Sequence, residues 1–207
     1  MSRKPDPWAP LDWSWAEPDG TFANRFDDPE SKYRVLYASS QKLGCFLETL
    51  ARYRQDPNLL AELSDISGDD DFFPLGEVPY VWIEGRLLGS ATIDGDYADV
   101  GSSEMLNRLR VRLAGRFAEF GIDDFDASIL QRTSPRSLTQ AISRIIYGAG
   151  SDGIYYRSKH GHDIENWALF EPFKIVRSSS AEIHPDDPAL QEALRLYSIR
   201  LQKRKPE

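Results

Sequence analysis

Apolar residues recur at helical spacing in three stretches: Leu43, Phe46, Leu47 and Leu50; Leu106, Leu109, Leu113 and Phe117; and Leu138, Ala141, Ile142, Ile145 and Ile146. The first stretch predicts a helix capped by Ser39 or Ser40, running to about Tyr53 and stopped by Asp56-Pro57-Asn58. The second predicts a helix from Glu104 to Phe120 ended at Gly121, and the third a helix from near Ser134, with Pro135 in its first turn and Gly148 and Gly150 closing it. A last helix is expected over roughly Pro188 to Gln202 behind an Asp187 cap. β-branched and aromatic content marks strands at Tyr33–Ala38, Val78–Ile83, Arg86–Ile93, Ile154–Ser158 and Trp167–Phe170. Glu84-Gly85 reads as a hairpin turn, and Asp152-Gly153 turns the chain into the Ile154 strand. Helices and strands intermix without regular alternation or internal repeat, which predicts an α+β fold rather than a doubly wound sheet.

At 207 residues with no linker-like stretch, the chain fits one domain. Residues 1–21, with Trp8, Trp13, Trp15 and four prolines, read as an extended arm whose aromatics pack on the body; 22–177 form that body, and 178–207 add a helix and a basic tail to it. No apolar run approaches the roughly 20 residues of a membrane-spanning helix. The opening MSRKPDPWAPLDW lacks a secretory apolar core, so a cytoplasmic location is expected. Cys45 is the only cysteine and forms no internal disulfide.

A net charge of −8 argues against a surface that coats nucleic acid. The charge is uneven: residues 1–100 hold 9 basic and 19 acidic groups, and residues 101–207 hold 16 and 14. The basic second half is open to two readings, a pocket for an anion or a solvated helix stripe of Arg108, Arg112 and Arg116. Asp69 to Asp71 lack calcium-loop spacing and read as a solvated loop. His160 and His162 have no matching third ligand, so no metal site is expected. No nucleophile elbow, phosphate-binding glycine loop or dinucleotide fingerprint occurs.

Four residues offer a set of capabilities suited to a dinucleotide. Arg25, beside a turn-prone DDPES segment, can grip a pyrophosphate with two parallel hydrogen bonds or pair with Asp27 or Asp28. Tyr37 can be a half-buried strand aromatic, or can stack on a ring while its hydroxyl meets a polar partner. Glu48 points away from the apolar face of its helix and reads as solvated, although Gly44 one turn earlier leaves room for a ligand on that side. Ser158 ends a strand before a polar KHGHD loop and is expected as an exposed hydroxyl.

The order of these residues, with FANRF, VLYASSQKLGCFLETLA, the VP-x-x-W and R-x-L-G-x-A stretches near Val78 and Arg86, and GIYYRS followed by NWALFEP, resembles the RES domain family from about Phe22 to Pro172. Two departures stand out: Asn24-Arg25-Phe26 replaces the glycine, any residue, arginine, tryptophan run of many relatives, and the chain is longer than compact members. The resemblance implies a single domain with a mixed split sheet and surrounding helices, similar to ADP-ribosyltransferases. It further implies an NAD-degrading enzyme that transfers ADP-ribose to water or inorganic phosphate, with NAD as substrate and no other cofactor. Arg25, Tyr37 and Ser158 would bind NAD, and Glu48 would join them in catalysis. Members often act as bacterial toxins and commonly pair with a helix-turn-helix antitoxin. A macromolecular acceptor for ADP-ribose and a non-catalytic nucleotide-binding module are the alternatives. Arg34, Arg157, Lys159 and His160 are candidates for a phosphate pocket, and a homo-oligomer stays open.

Overall fold

The computed structural model describes residues 2–55, 76–131 and 135–204. In chain order it runs β1 (Ser2–Arg3), a 3-10 turn (Trp13–Trp15), β2 (Val35–Ser39), α1 (Lys42–Leu50) and a second 3-10 turn (Ala51–Tyr53). Then follow β3 (Gly76–Val78), α2 (Val81–Glu84), β4 (Arg86–Asp94), β5 (Tyr97–Asp99), α3 (Ser103–Arg112), α4 (Ala114–Glu119), α5 (Ala127–Gln131) and α6 (Arg136–Gly148). The remaining elements are β6 (Gly153–Ser158), β7 (Gly161–Phe170), β8 (Lys174–Glu182), α7 (Pro188–Leu196) and β9 (Ile199–Leu201). Helices and mixed sheets interleave irregularly, the α+β class that the sequence predicts. The residues cluster into two compact units, one of 1–7, 42–89 and 180–207, the other of 8–41 and 90–179. The predicted stop at Asp56-Pro57-Asn58, the acidic run at 69–71 and the helix start at Ser134 lie outside the described residues.

The unit of 8–41 and 90–179 is organised by a four-stranded sheet ordered β2-β7-β6-β5, antiparallel except for the parallel β5–β6 pair. Cross-strand partners share a face, so Val35 with Phe170 and the row Tyr37, Ala168, Ile154 project to the same side. That side belongs to the main hydrophobic cluster, to which α6 contributes Leu138, Ile142 and Ile146 at four-residue intervals. Tyr33 stacks on Tyr147 with ring centroids 3.9 Å apart and leans on Phe170 at 4.8 Å. At the start of β6, a Cβ on Gly153 would fall on the Ala168 carbonyl oxygen, so only glycine lets β6 close on β7 here.

Several expected boundaries move. The helix predicted over Glu104–Phe120 is two helices, because Leu113 (φ −108°, ψ 11°) breaks it, yet Leu109, Leu113 and Phe117 stay buried across the break. Gly121 then turns the chain with φ +63°. Arg108, Arg112 and Arg116 are exposed, and Arg108 pairs with Glu104 at 3.0 Å, so this stripe is a solvated face. Trp13 stacks on Phe22 at 5.3 Å but is 40% exposed, and Trp15 is 61% exposed, so the arm's aromatics are only partly packed. Ser39 donates its hydroxyl to the Glu165 carbonyl at 3.0 Å, a sheet contact rather than a helix cap.

In the unit of 1–7, 42–89 and 180–207, α1 packs on α7 through buried Phe46, Leu47 and Leu50 on one side and Leu190, Ala193 and Leu194 on the other. The Val78–Ile83 strand of the sequence reading divides into β3 and a single helical turn, because the Trp82 N–H bonds the Pro79 carbonyl at 2.9 Å and the Ile83 N–H bonds Tyr80 at 3.0 Å. Gly85 therefore caps α2 and is not a hairpin turn. The last helix ends at Leu196, earlier than expected: Ser198 adopts φ 51° and Ile199–Leu201 pairs in parallel with Gly76–Val78. Asp187 does cap α7, accepting from the Ala189 N–H at 2.9 Å and the Leu190 N–H at 3.3 Å, and it meets Lys42 at 3.0 Å.

Burial pushes the Asp187 carboxyl up, but Lys42 and the α7 N–H groups outweigh it and leave its pKa below the ordinary 3.8. The stability it adds is thus fully present above that pH and is lost as pH falls through the lower folded value. Asp187→Ala should cost about 1 kcal/mol in urea unfolding at neutral pH, while Asp187→Asn should keep most of the cap and flatten the acid limb. Gly153→Ala should lower stability by about 1 to 3 kcal/mol in the same measurement by forcing β6 from β7.

Candidate active site

In the unit of 8–41 and 90–179, three of the four candidate residues surround one patch of the sheet. Ser39, Asn166 and Tyr156 form a cross-strand row on the same face as Tyr37, and Ser158 follows two residues beyond Tyr156, past a register shift at Arg157/Ser158. Tyr156, Ser158 and Asn166 are all buried. Ser158 is 1% exposed and accepts a hydrogen bond from the His160 N–H at 3.0 Å. This corrects the expectation of an exposed hydroxyl: the shift at the end of β6 keeps Ser158 turned inward while the polar loop begins around it.

Arg25 sits over this patch, its guanidinium carbon 5.5 Å from the Tyr156 ring centroid and 6.0 Å from that of Phe26. The two rings meet edge to face at 4.9 Å. The alternative of a surface ion pair with Asp27 or Asp28 does not occur, because both carboxylates are buried and turned to backbone N–H groups. Asp27 accepts from the Asn24 N–H at 2.7 Å, and Asp28 from the Lys32 N–H at 2.6 Å and the Glu30 N–H at 3.2 Å. Among the described residues Arg25 makes no ion pair.

Tyr37 is half-buried, and its hydroxyl is committed at both ends: it donates to Asp27 at 3.0 Å and accepts from the Phe26 N–H at 2.9 Å. Burial and the adjoining Asp27 carboxylate push its phenol well above 10, so the hydroxyl remains a donor at physiological pH. Burial likewise pushes the Asp27 carboxyl up, opposed by the hydrogen bonds from Asn24 and Tyr37.

Glu48 belongs to the other unit and lies on α1, half-buried rather than fully solvated. Burial lifts the phenol of Tyr197 in that unit to about 12, with Arg54, 4.9 Å over its ring, opposing and the Glu48 carboxylate adding to the rise. Tyr197 donates to the Leu47 carbonyl at 3.0 Å, which ties the end of α7 to α1 next to Glu48. Gly44 is buried, so the opening expected beside it on α1 is covered.

The four-residue phosphate pocket does not form. Arg34 makes a two-pronged pair with Glu171 at 2.7 and 2.5 Å, and Arg157 pairs with Glu165 at 3.1 Å. Glu171 lies six positions beyond Glu165, roughly 20 Å of extended backbone. Among the described residues no group of three His, Cys, Asp or Glu side chains could hold a metal ion. Sequence reasoning passed over Asp27 as an anchor, Tyr156 as the platform for Arg25, and Asn166. The alternation Ile164, Asn166, Ala168, Phe170 carried the signal for Asn166, a polar amide at an inward position of an otherwise apolar series.

The model of the RES domain matches residues 3–189. The chain belongs to the RES domain family. The match extends beyond the Phe22–Pro172 span carried by the sequence motifs and includes most of the arm. No curated protein and no solved structure matches the chain. As a RES domain it has, at the coarse level of the family, an NAD-related enzymatic role. Among the described residues, no helix of this RES domain is long and apolar enough to cross a membrane.

Proposed function

We propose that this RES domain cleaves NAD between nicotinamide and ribose and passes the ADP-ribosyl group to water or inorganic phosphate. The observation that carries the reading is the Arg25 guanidinium, held against Tyr156 without an ion pair among the described residues, on the strand that two residues later carries the buried Ser158. A half-buried cation in this state is ready for an anionic ligand, and its planar fork matches the two-pronged geometry of a phosphate.

The chemistry sets what the other residues must do. As the bond from ribose C1′ to the pyridinium nitrogen breaks, its electron pair goes to nicotinamide and neutralises the ring, so the leaving group needs no strong acid. The ribose develops oxocarbenium character, as in glycoside hydrolysis. An acceptor oxygen then bonds to C1′ and its proton passes to solvent. Glu48, assigned by its place in the family motif, supplies the negative charge that opposes this cation or aligns the acceptor. Arg25 holds the pyrophosphate, the Tyr37 ring faces nicotinamide, and the Ser158 hydroxyl orients the ribosyl group. The same family pattern extends the proposal to a toxin restrained by a helix-turn-helix antitoxin.

Purified protein incubated with NAD, with and without phosphate, should release nicotinamide together with ADP-ribose or its phosphorylated form. ADP-ribose on a macromolecule would instead favour a transferase, and tight NAD binding with no product a binding module. Glu48→Gln should lower nicotinamide release about 100-fold or more with little change in NAD affinity, and wild-type turnover in that variant would sink the assignment. Expression of the wild type should arrest bacterial growth and that of Glu48→Gln should not; equal growth with both would remove the toxin reading.

A further inference from the structure

Arg25 has no strand or helix of its own to fix it, yet the backbone on both sides of it is tied down. The Asn24 N–H bonds Asp27 Oδ2 at 2.7 Å, and the Asn24 carbonyl accepts from Gln140 Nε2 at 3.2 Å. The Phe26 N–H bonds the Tyr37 hydroxyl at 2.9 Å, and the Phe26 carbonyl accepts from Ser143 Oγ at 2.6 Å. Gln140 Nε2 also reaches the Phe22 carbonyl at 3.2 Å. Every polar backbone group of the two residues flanking Arg25 is therefore held by a side chain.

The holding groups are themselves fixed. Gln140 and Ser143 are three residues apart on α6 and so lie on one side of that helix. Ser143 has a single O–H, spent on the Phe26 carbonyl, so its 2.8 Å contact with Tyr33 is a bond that the tyrosine donates. Ser143 is 0% exposed, and Tyr33 is stacked on Tyr147 in the core. Tyr37 stands in the middle of β2, and its bond to Asp27 at 3.0 Å joins the support of Asn24 to that of Phe26. A short loop has thereby been given the rigidity of the helix and strand behind it.

We propose that Asp27, Tyr37, Gln140 and Ser143 are positioning residues that act on NAD through Arg25, clamping the 24–26 backbone so that the guanidinium is delivered over Tyr156 in its binding geometry. This rests on the NAD reading above for its consequence and on the hydrogen bonds for its mechanism. Tyr37 has two separable duties on this view: its ring meets the substrate, and its hydroxyl serves Arg25. Removal of a clamp member leaves the charge in place but lets it wander, so substrate binding suffers before the chemical step does.

Tyr37→Phe keeps the ring and removes only the hydroxyl. Gln140→Ala tests the same clamp at a half-exposed helix position that tolerates truncation. Both should raise KM for NAD by about tenfold with a smaller change in kcat. In an Arg25→Lys background, Tyr37→Phe should change KM by less than about twofold, because the group it positions is already compromised. A wild-type KM in Tyr37→Phe, or an undiminished effect beside Arg25→Lys, overturns the proposal. Amide hydrogen exchange reads the clamp without NAD: the Phe26 N–H should exchange about tenfold faster in Tyr37→Phe while β7 amides hold their rates. Unchanged Phe26 exchange defeats the clamp, whereas faster exchange in a protein whose wild type leaves NAD intact defeats only the NAD reading.

Discussion

The antiparallel pairing of β6 with β7 is the constraint from which the candidate site follows. Its register sets Tyr156 opposite Asn166 and Ile154 opposite Ala168, and β7 passes the same alignment to Ser39 and Tyr37 on β2. Side chains alternate along a strand, so a slip of one residue would turn Tyr156 and Asn166 outward and bring Arg157 and Glu165 into the core. The fit depends on Gly153, where the two backbones approach too closely for any side chain. Sheet geometry thus fixes the platform, and the shift at Arg157/Ser158 sets where the platform ends.

Around this platform the arginines are treated differently. Arg34 and Arg157 are neutralised by Glu171 and Glu165 on β7 and its extension. Arg25 stands next in sequence to two nearby aspartates, yet both are drawn inward to satisfy turn N–H groups and the Tyr37 hydroxyl. A buried carboxylate needs donors, and the tight turn after Phe26 offers several at close range. The turn therefore consumes the acidic side chains that would otherwise have quenched the cation beside them.

Much of the fold was legible where periodicity was strong. The apolar series of α6 and the paired apolar positions of α1 survive in the core almost unchanged. Legibility failed where tertiary contacts overrode local preference. Val81 to Ile83 have strand-like composition, but capture of the Pro79 carbonyl by Trp82 winds them into a helical turn. β8 escaped notice because its side chains are almost all exposed and its apolar Ile175 and Val176 are adjacent, so no alternation marks it. The site divides in the same way. Arg25, Tyr37, Glu48 and Ser158 were visible as motif residues, but Asp27, Gln140 and Ser143 hold backbone groups across more than a hundred residues of sequence or within one turn, and no spacing rule announces such contacts.

The unit that carries Glu48 is drawn from three separated stretches of chain, and its pairing of β3 with β9 joins Gly76–Val78 to Ile199–Leu201. On a ribosome, a nascent chain complete through residue 179 already contains every segment of the sheet unit that bears Arg25. At that moment α1 still lacks α7, and β3 still lacks its parallel partner. The carboxylate proposed to face the ribosyl cation thus sits on a unit whose packing and strand pairing wait for residues 180–201, after every segment of the unit that bears Arg25 has been made.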